Sequence, residues 1–207
     1  MNTGRQLLKT TFVFAIMMML FSLVFSQQEI LDEVNQNRIQ LSKVGMSVLG
    51  SWAVGNMVFS GIQRSRTTGV NRYFHEMNVF WNVVNLGLAA GGLYGALTED
   101  ASGYSLLDTY TKQQSIEKIF LFNMALNGTY MTAGAWMRER SKSFTGDQLR
   151  MDRFKGYGNS LILQGGFLLL FDATNFFLHH YQAAPKLEKV LSSISVGSQG
   201  IGMVIRF

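Results

Sequence analysis

The chain has 207 residues, 47% of them hydrophobic and only 15% charged, whereas soluble domains usually carry about 25% charged residues. It contains no cysteine, which excludes disulfides, thiolate metal sites and cysteine nucleophiles. Its net charge of +5 is concentrated in two loops between apolar runs, which fits membrane orientation and argues against nucleic acid as a partner.

Residues 1–26 read as a secretory signal. Arg5 and Lys9 form a basic start, 10–25 (TTFVFAIMMMLFSLVF) is the apolar stretch, and Ser26 places a small residue before Gln27. An uncleaved anchor is the alternative, because this run approaches the spanning minimum of about 17 residues. Residues 27–43 mix Ile30, Leu31, Val34, Ile39 and Leu41 with charged and amide side chains. That pattern predicts an amphipathic helix continuous with the first span.

Four apolar runs follow, at about 44–62, 73–97, 118–137 and 159–179. The 63–72 loop carries Arg64, Arg66 and Arg72 without an acid, and the 138–158 loop is also rich in Lys and Arg. The 98–117 loop instead carries Glu99, Asp100, Asp108 and Glu117. Basic loops stay cytoplasmic, so both mature termini are expected outside the cytoplasm, with 180–207 as an external tail. The expected fold is an all-α membrane protein: a four-helix transmembrane bundle over 44–179, following a signal peptide and an amphipathic N-terminal helical extension.

Gly87, Gly91 and Gly95 are spaced four apart in the second span, and Ser47, Ser51 and Gly55 repeat that spacing in the first. Small residues at this interval let backbones approach closely. The two stripes are expected to meet within the chain. The alternative is contact with a membrane-protein partner or a homodimer through Gly87, Gly91 and Gly95.

Asp172 is the one acid well inside an apolar run (LILQGGFLLLFDATNFFL, 161–178). An ionisable group at membrane depth is costly and marks a candidate functional site. Asn175 and His179 share its helical face, Asn78, Asn82 and Asn85 share one in the second span, and Asn123 and Asn127 lie four apart in the third. With Asn56 of the first span, these amides are expected to converge on one polar column, because unpaired amides are costly in hydrocarbon. The column reads either as interhelical hydrogen bonding or as a path for a proton, a cation or a polar group. His75 and Glu76 open the second span and form a candidate site at the cytoplasmic face. His75 and His179 lie at opposite faces, so neither a metal nor a haem is expected, nor any other cofactor.

Catalytic signatures such as G-x-S-x-G, H-E-x-x-H or a P-loop are missing. At the carboxyl end, Ile201, Met203, Ile205 and Phe207 alternate with Gly202, Val204 and Arg206. The helical spacing elsewhere argues against a barrel, so the end is expected to be a short amphipathic strand or turn.

The phrases YFHEMNVFWNVVNLGLAAGG (73–92) and KGYGNSLILQGGFLLLFD (155–172) resemble those of an uncharacterised family of small bacterial helical membrane proteins, a domain of unknown function. The resemblance runs from about residue 29 to the end. It implies the helical fold and a bacterial inner (cytoplasmic) membrane, and no catalytic residue. The expected function is a non-enzymatic accessory or assembly subunit in the lipid bilayer with a polar intramembrane core. The alternatives are a small transporter or channel component using the Asp and Asn path, and a lipid-modifying intramembrane enzyme.

Overall fold

The computed structural model describes residues 2–192, 194–197 and 200–203. Four helices follow one another, α1 (Asn2–Arg66), α2 (Gly69–Thr98), α3 (Leu106–Ser141) and α4 (Gln148–Ser192), then two short strands, β1 (Ile194–Gly197) and β2 (Gly200–Met203). The strands pair antiparallel, with Ile194 opposite Met203 and Gly197 opposite Gly200. The expected strand at the carboxyl end is present through Met203, while Val204, Ile205, Arg206 and Phe207 lie outside the described residues.

The helices are longer and the loops shorter than the apolar runs alone indicate. A glycine with positive φ stands at each turn between helices, Gly69 as the first residue of α2 and Gly103 and Gly146 in the following two connections, a conformation that side chains with a Cβ resist. At the start of α3 the Ser105 hydroxyl accepts from the Asp108 backbone N–H, while the Asp108 carboxylate accepts from the Ser105 N–H. This capping box starts the helix at Leu106 and so places 106–117 in helix, where a loop was expected.

The helix end expected near 179 is likewise corrected, since α4 continues through Pro185 to Ser192. Proline removes a helical hydrogen bond, but the last turns are held by packing. Ala183 and Leu187 of α4 bury against Leu31 and Val34 of α1. Leu31, Val34, Asn35 and Arg38 follow helical spacing on the buried face of α1, and the 27–43 segment runs without a break into the rest of that helix.

The helices form an up-and-down bundle in which α1 packs on α2, α3 on α4, and α4 also against α2 and α1. An apolar cluster of Leu49, Ala89, Phe120 and Phe171 joins all four helices, with Met46, Ile116, Phe167, Leu168 and Phe176 around it. The closest approach of α3 and α4 is reciprocal. A Cβ on Gly134 would come within 2.6 Å of the Gly158 carbonyl oxygen, and one on Gly158 within 2.5 Å of the Gly134 oxygen.

The two small-residue stripes do not meet. Gly87, Gly91, Gly95 and Gly55 have open space where a Cβ would stand, and Ser47 and Ser51 are exposed. The α2 seam is instead Asn78, Asn82, Asn85, Ala89 and Ala96, all buried, with Gly92 fitted against Met46 of α1. These positions repeat in steps of four and three, the spacing by which one helix presents a continuous seam to another. The glycine stripe lies off that seam.

Among the described residues one helix, Gln148–Ser192, is long and apolar enough by length and composition to cross a membrane.

Candidate polar sites in the bundle core

The buried amides do not form one column. They divide into separate groups, and their partners follow from which helices are in contact.

The largest group centres on Asn78 of α2. Its amide nitrogen donates to Asn56 Oδ1 at 3.1 Å and Ser60 Oγ at 3.0 Å, both on α1. Its oxygen accepts from Ser160 Oγ at 3.2 Å and from Gln164 Nε2, both on α4. Gln164 Oε1 in turn accepts from Trp52 Nε1 at 3.1 Å, and the Trp52 ring stacks on Phe167 at 3.7 Å. One asparagine thus connects three helices with all its bonding capacity in use. His75 joins the edge of this group, its Nδ1 3.2 Å from Ser60 Oγ.

Asn82 and Asn85 continue the seam but bond within α2. Asn82 donates to the Asn78 carbonyl at 2.8 Å, and Asn85 donates to Asn82 Oδ1 at 3.3 Å. Asp172 lies in a second group between α3 and α4. It is only 4% exposed, accepts from Asn127 Nδ2 at 2.6 Å, and has Asn123 as a further amide neighbour. Asn175 is turned elsewhere. Its nitrogen donates to the Phe171 carbonyl at 2.8 Å, and its oxygen occupies the space that a Cβ on Gly45 of α1 would need.

His75 and Glu76 do not share a site. His75 is buried against α1, whereas Glu76 forms an ion pair with Arg64 at 2.9 Å and accepts from the Tyr157 hydroxyl at 2.6 Å. Glu76 ties α1, α2 and α4 at the basic end.

The opposite end carries a charged clamp. Arg38 of α1, 5% exposed, donates two bonds to Glu99 at 3.1 and 3.0 Å and one to Asn35 at 3.3 Å. Asn35 reaches Thr109 of α3 at 2.7 Å, and Lys112 adds a second ion pair to Glu99 at 3.0 Å. Arg38, and after it Lys112, holds the Glu99 carboxyl down to a pKa of about 2. Beside the clamp, Gln113 donates to Glu117 at 2.8 Å and to the His179 carbonyl at 2.9 Å. His179 is fully buried, and among the described residues neither ring nitrogen has a hydrogen-bond partner. Gln182 and Gln113 Oε1 are likewise unpartnered.

Among the described residues no cluster of three or more His, Asp or Glu is arranged to hold a metal ion. The groups most active in the core network, Gln164, Ser160 and Ser60, are polar residues that the sequence reading passed over. Gln164 stands two turns before Asp172 on the same helical face, a signal present in the spacing.

The fold and these groups define an all-helical bundle with a hydrogen-bonded polar core. A family model matches residues 48–173, that of a family of unknown function (DUF6992), and the chain belongs to this family. The matched segment is shorter than the extent from residue 29 to the end that the resemblance suggested. It includes Asn56, Asn78, Gln164 and Asp172, and ends before Asn175 and His179. Comparison with curated proteins and with solved structures gives no match.

Proposed function

We propose that this chain is a multi-pass membrane protein of the bacterial inner membrane and a non-enzymatic accessory or assembly subunit. In this reading its polar interior fixes the four-helix arrangement. One observation carries it: the polarity of the bundle is inverted along its middle. The buried side chains include Asn78, Asn82, Asn85, Asn127, Gln164 and Asp172, while Val58, Phe59, Phe80, Leu88, Phe122 and Leu170 stand exposed, Leu170 at 71%. Water would be an unfavourable solvent for such a belt, since exposed apolar patches of this extent mark interaction or membrane surfaces. Hydrocarbon is a favourable one, and it requires that the amides satisfy each other. Phe12, Phe14, Met17 and Phe25 in the first part of α1 are also exposed, as suits a signal or an anchor.

The accessory role rests on what the bundle leaves open. The Gly87, Gly91 and Gly95 stripe is unused within the chain and suits a second helix, from a partner or another copy. The core amides are largely committed to one another, and the same core holds the apolar cluster of Leu49, Ala89, Phe120 and Phe171.

Because the chain lacks cysteine, single cysteines can report its topology. Ser102→Cys sits in the α2–α3 connection and Ser143→Cys in the α3–α4 connection, both exposed. We expect the protein to remain in the membrane after alkaline extraction. A membrane-impermeant maleimide should label the Ser102→Cys variant in intact cells and the Ser143→Cys variant only after permeabilisation. Release by alkali, or labelling of both from one side, overturns the reading.

One observation favours a second reading, a transporter or channel component. His179 lies two turns from Asp172 on the same face of α4, with both ring nitrogens and the neighbouring Gln182 unpartnered. A wet polar path would use such groups.

A further inference from the structure

At the basic end, α3 and α4 flank a half-open cavity of about 390 Å³ lined by Arg138, Glu139, Lys142, Lys155, Ala135 and Met151, among others. This is within the range of about 300–1,000 Å³ typical of small-molecule sites. The cations of this segment are not equivalent. Arg140 and Arg150 lie over the Phe144 ring at 5.7 and 4.5 Å, and Arg153 lies over Tyr73 at 5.3 Å. Lys142 pairs with Glu139 at 2.6 Å, with both side chains 73% exposed. Arg138 and Lys155 have no acid within ion-pair distance among the described residues, and both line the cavity. The Arg138 stem is held over Gly158, whose Cβ would meet Arg138 Cγ at 3.0 Å. Its position therefore follows from the closest approach of α3 and α4.

We propose that this cavity binds a phosphate group, with Arg138 and Lys155 as its principal cations. Guanidinium and ammonium donors converge on oxyanions. Lys142 supplies a third cation, because an exposed pair with Glu139 is worth little and exchanges readily for a phosphate. Ala135 and Met151 give the cavity an apolar side, and Trp136 next to it is 61% exposed, as tryptophans are at the headgroup level. The phosphate belongs either to an anionic phospholipid or to a free phosphate compound. The lipid source rests on the membrane reading above, whereas the phosphate site does not.

The test uses the full chain in a zwitterionic detergent. Binding of phosphatidylglycerol, phosphatidylcholine and inorganic phosphate is compared for the wild type, the double variant Arg138→Gln/Lys155→Gln, and the control Arg150→Gln/Arg153→Gln, which removes the same charge. We expect the double variant to lose anionic binding by about tenfold or more, since it removes both principal cations. The control should change less than about twofold, outside the cavity and engaged on aromatic rings. Arg138→Lys/Lys155→Arg retains both charges and should retain binding, which separates lost contacts from lost folding. Saturation by inorganic phosphate without a preference for phosphatidylglycerol supports the site and assigns it to a free phosphate compound. Equal losses in double variant and control, or no preference for either anion over phosphatidylcholine, overturn the proposal. Flotation with phosphatidylcholine vesicles reports the membrane reading separately.

Discussion

Asn78 is the residue on which the core depends most. Its side chain exchanges hydrogen bonds with Asn56, Ser60, Ser160 and Gln164, so truncation disturbs three helices together. Interhelical hydrogen bonds in membranes average about 0.6 kcal/mol each. Asn78→Ala should therefore cost about 2 kcal/mol in reversible unfolding from mixed micelles. Asn123→Ala, peripheral to Asp172, should cost less than about 1 kcal/mol. Asp172→Asn tests a different property. It keeps an acceptor for Asn127 at nearly the same place, so folding should survive with a loss below about 1 kcal/mol. Activity lost from a folded Asp172→Asn protein would favour the path reading. Spacing made the candidates legible, because Asn78, Asn82 and Asn85 announced one buried face. It did not reveal their partners. A short amide side chain reaches only the next helix, so which group Asn175 or Asn82 joins depends on helix rotation, and each bonds its own helix instead.

Helix rotation also explains the glycines. The four-residue stripe Gly87, Gly91 and Gly95 is the more conspicuous pattern, yet it has open space, and among the contacts that need a missing Cβ are those at Gly134 and Gly158. These belong to no repeat, so no periodicity points to them. Each faces the other's backbone carbonyl, which cannot move aside as a flexible side chain would. Overpacking a close contact costs about 1–3 kcal/mol. Gly158→Ala and Gly134→Ala should each fall toward the upper part of that range, whereas Gly91→Ala should change stability by less than about 0.5 kcal/mol. Thermal denaturation of the three variants in one detergent distinguishes these outcomes. Element ends were the least legible feature. Hydropathy marks where a helix is apolar, whereas α3 begins at a capping box and α4 continues past Pro185 because Ala183 and Leu187 have a partner surface on α1.

Over the whole molecule, charge is sorted by end. Arg64, Arg138 and Lys155 belong to one end of the bundle, and Glu99 and Asp100 to the other. The acidic end is the one closed by a buried clamp, in which Arg38 spans from α1 to the α2–α3 connection. Removing one member of a buried ion pair costs about 3–5 kcal/mol. Arg38→Gln belongs near the lower limit, since Glu99 keeps Lys112 as a second partner at 3.0 Å. The clamp also has a pH signature. The Glu99 carboxyl falls from an ordinary value of 4.5 to about 2 in the folded chain, so folding favours its ionised form. The stability it contributes is fully present above about pH 4.5 and is lost as pH falls toward 2. Asp100 shifts in the same direction, through its bonds to Ser102, but it is fully exposed and makes no contact with Arg38, so its contribution should be common to both proteins. Unfolding of the wild type between pH 5 and 2 should therefore show a steeper decline than that of Arg38→Gln, which keeps the Glu99–Lys112 pair and the contributions of Asp100 and Glu76, the two curves approaching each other at the acid limit. Parallel curves would mean that Arg38 holds the bundle by packing alone. Convergence would identify the charge pair as the latch joining the amphipathic segment of α1 to the rest of the bundle.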